Sequence, residues 1–362
     1  NQFDSEADVT ATGLTPVAPA EGASGTEQYI FALELVKQRK WSEAIPPLRQ
    51  SLSMDPSGTA YHAGKACALI GYAHLRLGDV QDAITHYRRA LDIDPNLTGV
   101  RTGLATALVK AGNVDEALGA LQAALQVDSA RAVLHFNCGN LLMRAGRVDE
   151  AEASYRSALQ LDGDHLGSMI NLGVALAQRK AYDESVGILC TACQNSRDAK
   201  ESWRARFNLG IVYGRLKRWD DAVDVLQEIV DDTPNTNRAR LLLARILRCA
   251  NRHLEAIERL GEPMDWGRWH SRCQELLGLI HNDLDNPVQA LVFWQEASRL
   301  DPSLGRIHAH IARRQLQSKE FGAAEESVTK AIELQKDRPE TWLIAGEVAL
   351  AQHQLDDAEQ AF

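Results

Sequence analysis

The sequence predicts an all-α chain built as a helical-repeat solenoid, and three observations carry that prediction. A small residue recurs at Ala44, Ala83, Ala117, Ala151, Ser185, Ala222, Ala256, Ala290, Ala324 and Ala358, with spacings of 39, 34, 34, 34, 37, 34, 34, 34 and 34 residues. A sustained period of that length marks one supersecondary unit stacked repeatedly on itself. Each period also reads as helix, short turn, helix, as in "LGDVQDAITHYRRALDIDPN" (77–96), "AGNVDEALGALQAALQVDSA" (111–130), "AGRVDEAEASYRSALQLDGD" (145–164) and "LDNPVQALVFWQEASRLDPS" (284–303). The helix ends are punctuated as well. Acids open second helices (Asp115–Glu116, Asp149–Glu150, Asp220–Asp221), where they favour the positive end of the helix dipole. Asp-Pro or Thr-Pro closes them (Asp55–Pro56, Asp94–Pro95, Thr233–Pro234, Asp301–Pro302), because the residue before proline leaves the α region.

Taken in order, residues 1–24 carry four acids and no Lys or Arg, and lack apolar periodicity. That is the composition of a disordered acidic linker, which would tether the repeats to something preceding Asn1. Nine complete repeats are expected to start near 25, 64, 98, 132, 166, 203, 237, 271 and 305, with short insertions near 57–63 and 195–202. A tenth starts near 339 and breaks off at Phe362, short of the end of its second helix. A solenoid needs a polar cap over its last apolar face, so the natural chain is expected to continue.

Within a repeat we number the recurring small residue as position twenty. With a helix advancing about 100° per residue, positions seven, eight and eleven share one side of the first helix (Leu209, Gly210, Tyr213; Leu277, Gly278, His281). Positions twenty, twenty-four and twenty-seven align on the second (Ala83, Tyr87, Ala90; Ala290, Trp294, Ala297), so that a small residue faces a large one. The seventh repeat departs from the pattern. Gly261 and Pro263 should stop its second helix early and leave Trp266 and Trp269 in an irregular connection. Those rings either cover the core beneath the shortened helix or form an aromatic docking knob.

The period, the small–large–small second helix and the trailing proline resemble the tetratricopeptide repeat family over residues 25–362, although Ser185 replaces Ala and several repeats lack the proline. The resemblance implies a right-handed α–α superhelix whose first helices line a concave groove, and a non-catalytic role in holding protein or peptide partners.

Composition narrows the function classes. The 39 basic and 49 acidic side chains give a net charge of −10, against a general nucleic-acid or anionic-membrane binder. No apolar run is long enough to insert directly into a membrane. Six cysteines (67, 138, 190, 193, 249, 273) have no framework spacing and read as buried free thiols, favouring a reducing compartment such as the cytoplasm. A tether before Asn1 would instead place the chain in a periplasm or at a membrane. The sequence has no secretory or transit leader, no GxGxxG, phosphate-loop, HExxH or GxSxG motif, and it implies no catalyst, cofactor or metal. Cys190-x-x-Cys193 falls late in a helix rather than at its start, and His308-x-His310 points to two faces.

The candidate binding residues lie on the outward face of the first helices, at positions two, six, nine and thirteen. Position six holds Asn137, Asn171 and Asn208 in three consecutive repeats, with Asn140 at position nine of the first of them. A side-chain amide offers a donor and an acceptor to the backbone of an extended peptide, so such a column would tolerate peptide sequence. It is similar to the Asn ladder of the superhelix in O-linked N-acetylglucosamine transferases, and it lapses at Leu242, Leu276 and His310. Position two continues the face with Arg204, Arg238, Arg272 and Arg306, joined by Arg245 and Arg313 at position nine. Planar guanidinium forks suit carboxylates. Position five has no Lys, which speaks against a chaperone-tail carboxylate clamp. The opposing readings are a repeat-default Asn bonded to the neighbouring helix, and Arg residues held in inter-repeat salt bridges. The expected function is a scaffold or adaptor for an extended acidic peptide. The alternatives at this point are the substrate-recruiting arm of a larger enzyme, such as a glycosyl- or sulfotransferase, whose catalytic domain would lie beyond Phe362, and a membrane-anchored assembly factor.

Overall fold

The computed structural model describes residues 19–20, 22–54, 60–196, 199–233, 236–261 and 266–361. Most of the 1–24 linker, Asp55–Pro56 and Pro263 therefore lie outside the described residues. The described residues contain twenty α-helices and no strand, arranged as ten helix pairs. The first five pairs are α1/α2 (Gly25–Lys37, Trp41–Met54), α3/α4 (Ala60–Leu77, Val80–Ile93), α5/α6 (Thr98–Lys110, Val114–Val127), α7/α8 (Ala132–Arg144, Val148–Leu161) and α9/α10 (Leu166–Gln178, Tyr182–Asn195). The next three are α11/α12 (Ala199–Arg215, Trp219–Asp232), α13/α14 (Asn237–Cys249, His253–Gly261) and α15/α16 (His270–Asp283, Pro287–Leu300). The last two are α17/α18 (Gly305–Gln317, Phe321–Leu334) and α19/α20 (Pro339–Ala351, Leu355–Ala361). Two compact units divide this array inside α10, at Ile188 and Leu189.

The local reasons for these elements repeat from pair to pair. Ser24 caps α1 reciprocally with Glu27, so the last residue assigned to the linker belongs to the first helix. In the turn inside each pair one residue takes the left-handed conformation: Arg39, Gly78, Gly112, Gly146, Lys180, Lys217, Asn251, Asp285, Lys319 and His353. The residue that follows sends its N–H back to the first helix, as Asn113 does to Leu108 O and Arg218 to Tyr213 O, both at 2.9 Å. Second helices end on a residue with φ near −140° whether or not proline follows: Asp94 and Asp301, before proline, are at −136° and −143°, and Asp128 and Asp162, before Ser129 and Gly163, are at −142° and −140°.

Position twenty is buried in every pair, from Ala44 to Ala358, and Ser185 satisfies its hydroxyl by donating to Gly173 O at 2.6 Å. The large residue at position twenty-four sits over position eight of its partner helix: Tyr155 over Gly139, Leu226 over Gly210, Trp294 over Gly278. In the first unit a continuous core runs from Ala32 to Leu176; in the second, Trp294 packs with Ala290, Ala297, Ile307 and Ile311.

The insertion regions lengthen first helices by about a turn: α3 has 18 residues and α11 has 17, where α5 has 13. Arg204 therefore lies beyond the first turn of α11, which begins five residues before it at Ala199. Cys249 is exposed, and Cys190 and Cys193 are half-buried, so only Cys67, Cys138 and Cys273 match the reading as buried thiols.

The seventh pair behaves as its sequence reads. α14 ends at Gly261 after 9 residues, and a short 3-10 turn, Gly267–Trp269, leads into α15. The two indoles part there, with Trp266 buried and Trp269 half-exposed.

Candidate functional site

In the second unit the first helices α11, α13, α15 and α17 present one cleft of about 540 Å³. Its lining comes from positions two, five, six and nine of successive pairs and from Trp269 of the 3-10 turn, and it brings together Arg238, Arg245, Arg272 and Arg306 of the six arginines singled out in the sequence. Arg204 and Arg313 are exposed on the same helices but do not line it.

Three of the four cleft arginines are held, in two ways. Arg306 grips Glu275 with a bidentate pair of 2.5 and 2.6 Å, and Glu275 is only 8% exposed. That pair is an inter-repeat salt bridge, the structural alternative for the column, at one of its members. Arg238 instead lies over the Phe207 ring, 4.6 Å from its centroid, and Arg272 over Trp269 at 5.4 Å. Among the described residues no carboxylate lies within ion-pair distance of Arg204, Arg238, Arg245, Arg272 or Arg313. The remaining inter-repeat bridges of this unit are made by arginines outside the column, Arg248 with Asp283, Arg252 with Asp220 and Arg314 with Asp285, while Arg206 pairs with Asp232 inside its own repeat.

Between the guanidinium groups the cleft is apolar, with Ile211, Leu241, Leu242, Leu276 and Leu279 along it. Trp294 stands behind Glu275, donating its indole N–H to the Glu275 carbonyl at 3.3 Å and stacking on His310 at 5.3 Å. Burial, set against the nearby Glu275 carboxylate, holds the His310 imidazole below its ordinary pKa.

The first unit carries a smaller cleft of about 240 Å³, lined by Thr102, Thr106, Asn137, Asn140 and Arg144 with apolar neighbours. Asn140 Oδ1 accepts from Tyr155 Oη at 2.9 Å and from Asn171 Nδ2 at 2.6 Å, which ties α7 to α9. Asn137 and Asn208 make no side-chain hydrogen bond among the described residues, and both are half-exposed. The column thus divides into an engaged pair and two unengaged amides.

Sequence reasoning missed Glu275, Phe207 and Leu241 as cleft residues. All three stand at position five, and about −60° of helix rotation separates position five from position two. His308 and His310 turn to different partners, Ser298 and Trp294, as their spacing implied. Among the described residues one donor group is close enough to hold a metal, His74 with Asp79 and Asp82, and there His74 is hydrogen-bonded to Asp79 at the start of α4 at 3.2 Å. Burial pushes the Cys193 thiol up to about 11, away from a reactive thiolate.

Helix pairs packed in succession within each unit, with side chains of their first helices gathered into clefts, define a helical-repeat protein of the interaction-scaffold class. Tetratricopeptide-repeat family profiles match residues 74–135 and 108–157, and 31–97, 136–199, 194–236 and 207–262. The chain belongs to the tetratricopeptide repeat family. Among solved structures, a tetratricopeptide repeat protein from Parabacteroides merdae is 16% identical, with a TM-score of 0.52 over 66% of this chain and 93% of its own. YrrB, described as having an unusual peptide-binding site, is 21% identical, with a TM-score of 0.41 over 50% of this chain and 92% of its own. MamA is 18% identical, with a TM-score of 0.42 over 45% and 93%. No curated protein matches the sequence. None of the described helices is long and apolar enough to cross a membrane.

Proposed function

We propose that the chain is a non-catalytic scaffold that holds an extended acidic peptide segment against its first helices. Arg238, Arg245 and Arg272 take carboxylates of the bound segment, and Arg204 and Arg313 contribute to the same exposed positive face. Arg306 completes the cleft wall through Glu275. Asn137 and Asn208 contact peptide backbone, while Asn140 and Asn171 position the wall beside them. The observation that carries this reading is the convergence on one cleft of three guanidinium groups that have no acid partner among the described residues, in a chain of net charge −10. An anion repelled by most of the surface meets its attraction there.

The test is capture of an acidic peptide by the Arg238→Glu/Arg272→Glu variant. Losing two exposed cation–π contacts costs about 0.5–1 kcal/mol each. Placing acids in the first turns of α13 and α15 returns about 0.3–1 kcal/mol each. The melting temperature should therefore barely move while capture is lost, and wild-type capture should weaken steeply with salt. A variant that unfolds early, together with salt-independent binding by the wild type, would make the column structural.

A further inference from the structure

We infer that the second-unit cleft reads a two-part anchor, an acidic side chain with a bulky apolar side chain beside it, rather than a run of acids. The inference rests on the acidic-peptide reading and adds a specificity to it. Three features of the cleft lead there.

Its positive charge is limited and placed. Of four guanidinium groups, the fork of Arg306 is already filled by Glu275, and that buried carboxylate adds a fixed negative charge to the same wall. A second acid arriving beside Glu275 would meet like charge in a partly desolvated place. The open guanidinium groups of Arg238 and Arg272 lie over the rings of Phe207 and Trp269, 4.6 and 5.4 Å from their centroids. A ring contact of this kind lowers the side-chain entropy still to be lost when a carboxylate is gripped.

The space between the forks is hydrocarbon. Leu241, Ile211 and Leu279 are half-buried there, beside the more deeply buried Leu242 and Leu276. A pocket of about 540 Å³ is larger than one carboxylate needs. A run of acids would lay charged groups on these leucines and lose their hydration without a partner. An apolar side chain next to the gripped acid would bury surface against them instead.

The test uses fluorescein-labelled Gly/Ser peptides whose only variable residues are Glu-Ser, Glu-Leu or Glu-Glu, read by polarisation on the full chain. The Glu-Leu peptide should bind about tenfold more tightly than Glu-Ser, as partial burial of one leucine side chain implies. Glu-Glu should gain less than Glu-Leu. Leu241→Ser should abolish the advantage of Glu-Leu over Glu-Ser and leave Glu-Ser binding and its salt dependence in place. Glu275→Gln should raise Glu-Glu binding relative to Glu-Leu. If Glu-Glu binds tightest to the wild type, the cleft counts charge; the two-part anchor falls while the acidic-peptide reading survives. If Leu241→Ser lowers Glu-Leu and Glu-Ser equally, the two-part anchor falls too. If no acidic peptide binds, or a short single-stranded oligonucleotide binds better than all three, both readings fall.

Discussion

Replacing Gly278 by Ala tests the rule that sets the spacing of every helix pair. An ideal Cβ at Gly278 would lie 2.4 Å from both Cδ1 and Nε1 of Trp294. Carbon atoms in contact prefer about 3.5–4.0 Å, so more than an ångström must be found. The indole has nowhere to retreat: it is 2% exposed, its N–H is held by Glu275 O at 3.3 Å, and its face lies on His310. Overpacking of this kind costs about 1–3 kcal/mol. Ala gains about 0.5–1 kcal/mol over Gly in a helix interior. The net expectation is a loss of roughly 1–2 kcal/mol, or about 2–8 °C in melting temperature for a unit of this size. Thermal melts followed by circular dichroism would read it. The informative partner is Trp294→Leu, since pairs with Ala at position eight carry Leu or Val at position twenty-four, as in Ala105 with Leu121, Ala244 with Leu260 and Ala312 with Val328. In the Trp294→Leu background, Gly278→Ala should be neutral or stabilising, so the double-mutant cycle should give a coupling of about 1–3 kcal/mol. If Gly278→Ala stabilises the wild-type chain, close approach at position eight does not set the spacing.

Lys217→Gly, at φ 58° in a turn where Gly78, Gly112 and Gly146 occupy the matching place, should raise stability by up to about 1 kcal/mol by removing a left-handed side chain; a melt that falls instead would show the Lys stem packing usefully. Burial, the leading cause in each case, lowers the pKa of His86, His281, His308 and His310. The unfolded chain therefore binds more protons, and stability should be complete above pH of about 6.5 and fall as pH drops through the lower folded values. His310→Gln should flatten that decline, and an unchanged slope would remove His310 from the account. With a maleimide reagent, Cys249 should be modified in the native state, whereas Cys138 and Cys273, pushed up by burial to about 11 and 12, should react only on unfolding.

Much of the fold is legible because its determinants are local and repeated. The position-twenty column follows from counting, and even Ser185 obeys it once its hydroxyl finds a carbonyl one helix away. The lengthened α3 and α11 are less legible, since four or five added residues ahead of a helix read equally as loop or as another turn. The site is half legible. Which residues share the outward face is a matter of angle, and Arg238, Arg245, Arg272 and Arg306 do converge. What each one touches depends on how far neighbouring first helices are offset along their axes. That offset shows up as a separation of 31 residues: Phe207 to Arg238, Glu275 to Arg306, and Asn140 to Asn171. It equals the repeat length less about one helical turn, which sets position five of one repeat against position two of the next, and position nine against position six. Neither the period alone nor the helical wheel alone contains it.

The same offset accounts for cations in places where a helix disfavours them. Arg238, Arg272 and Arg306 all lie in the first turns of their helices, where each meets the positive end of a dipole at a cost of about 0.3–1 kcal/mol. Arg306 recovers this through a carboxylate, Glu275, set opposite it by the 31-residue register. Arg238 meets Phe207 in that register instead, and an aromatic face offsets the dipole by a comparable amount while leaving all five N–H donors uncommitted. Arg272 meets Leu241 in register, which offers it nothing polar, and it turns to Trp269, one of the two indoles released where α14 stops at Gly261. The short seventh helix thus acts on the cleft as well as on the core, by supplying the ring that holds a second guanidinium in place without neutralising it. A carboxylate at position five would have stabilised all three arginines and closed the cleft. Only the third has one, and the two left open are the ones lodged on aromatic rings.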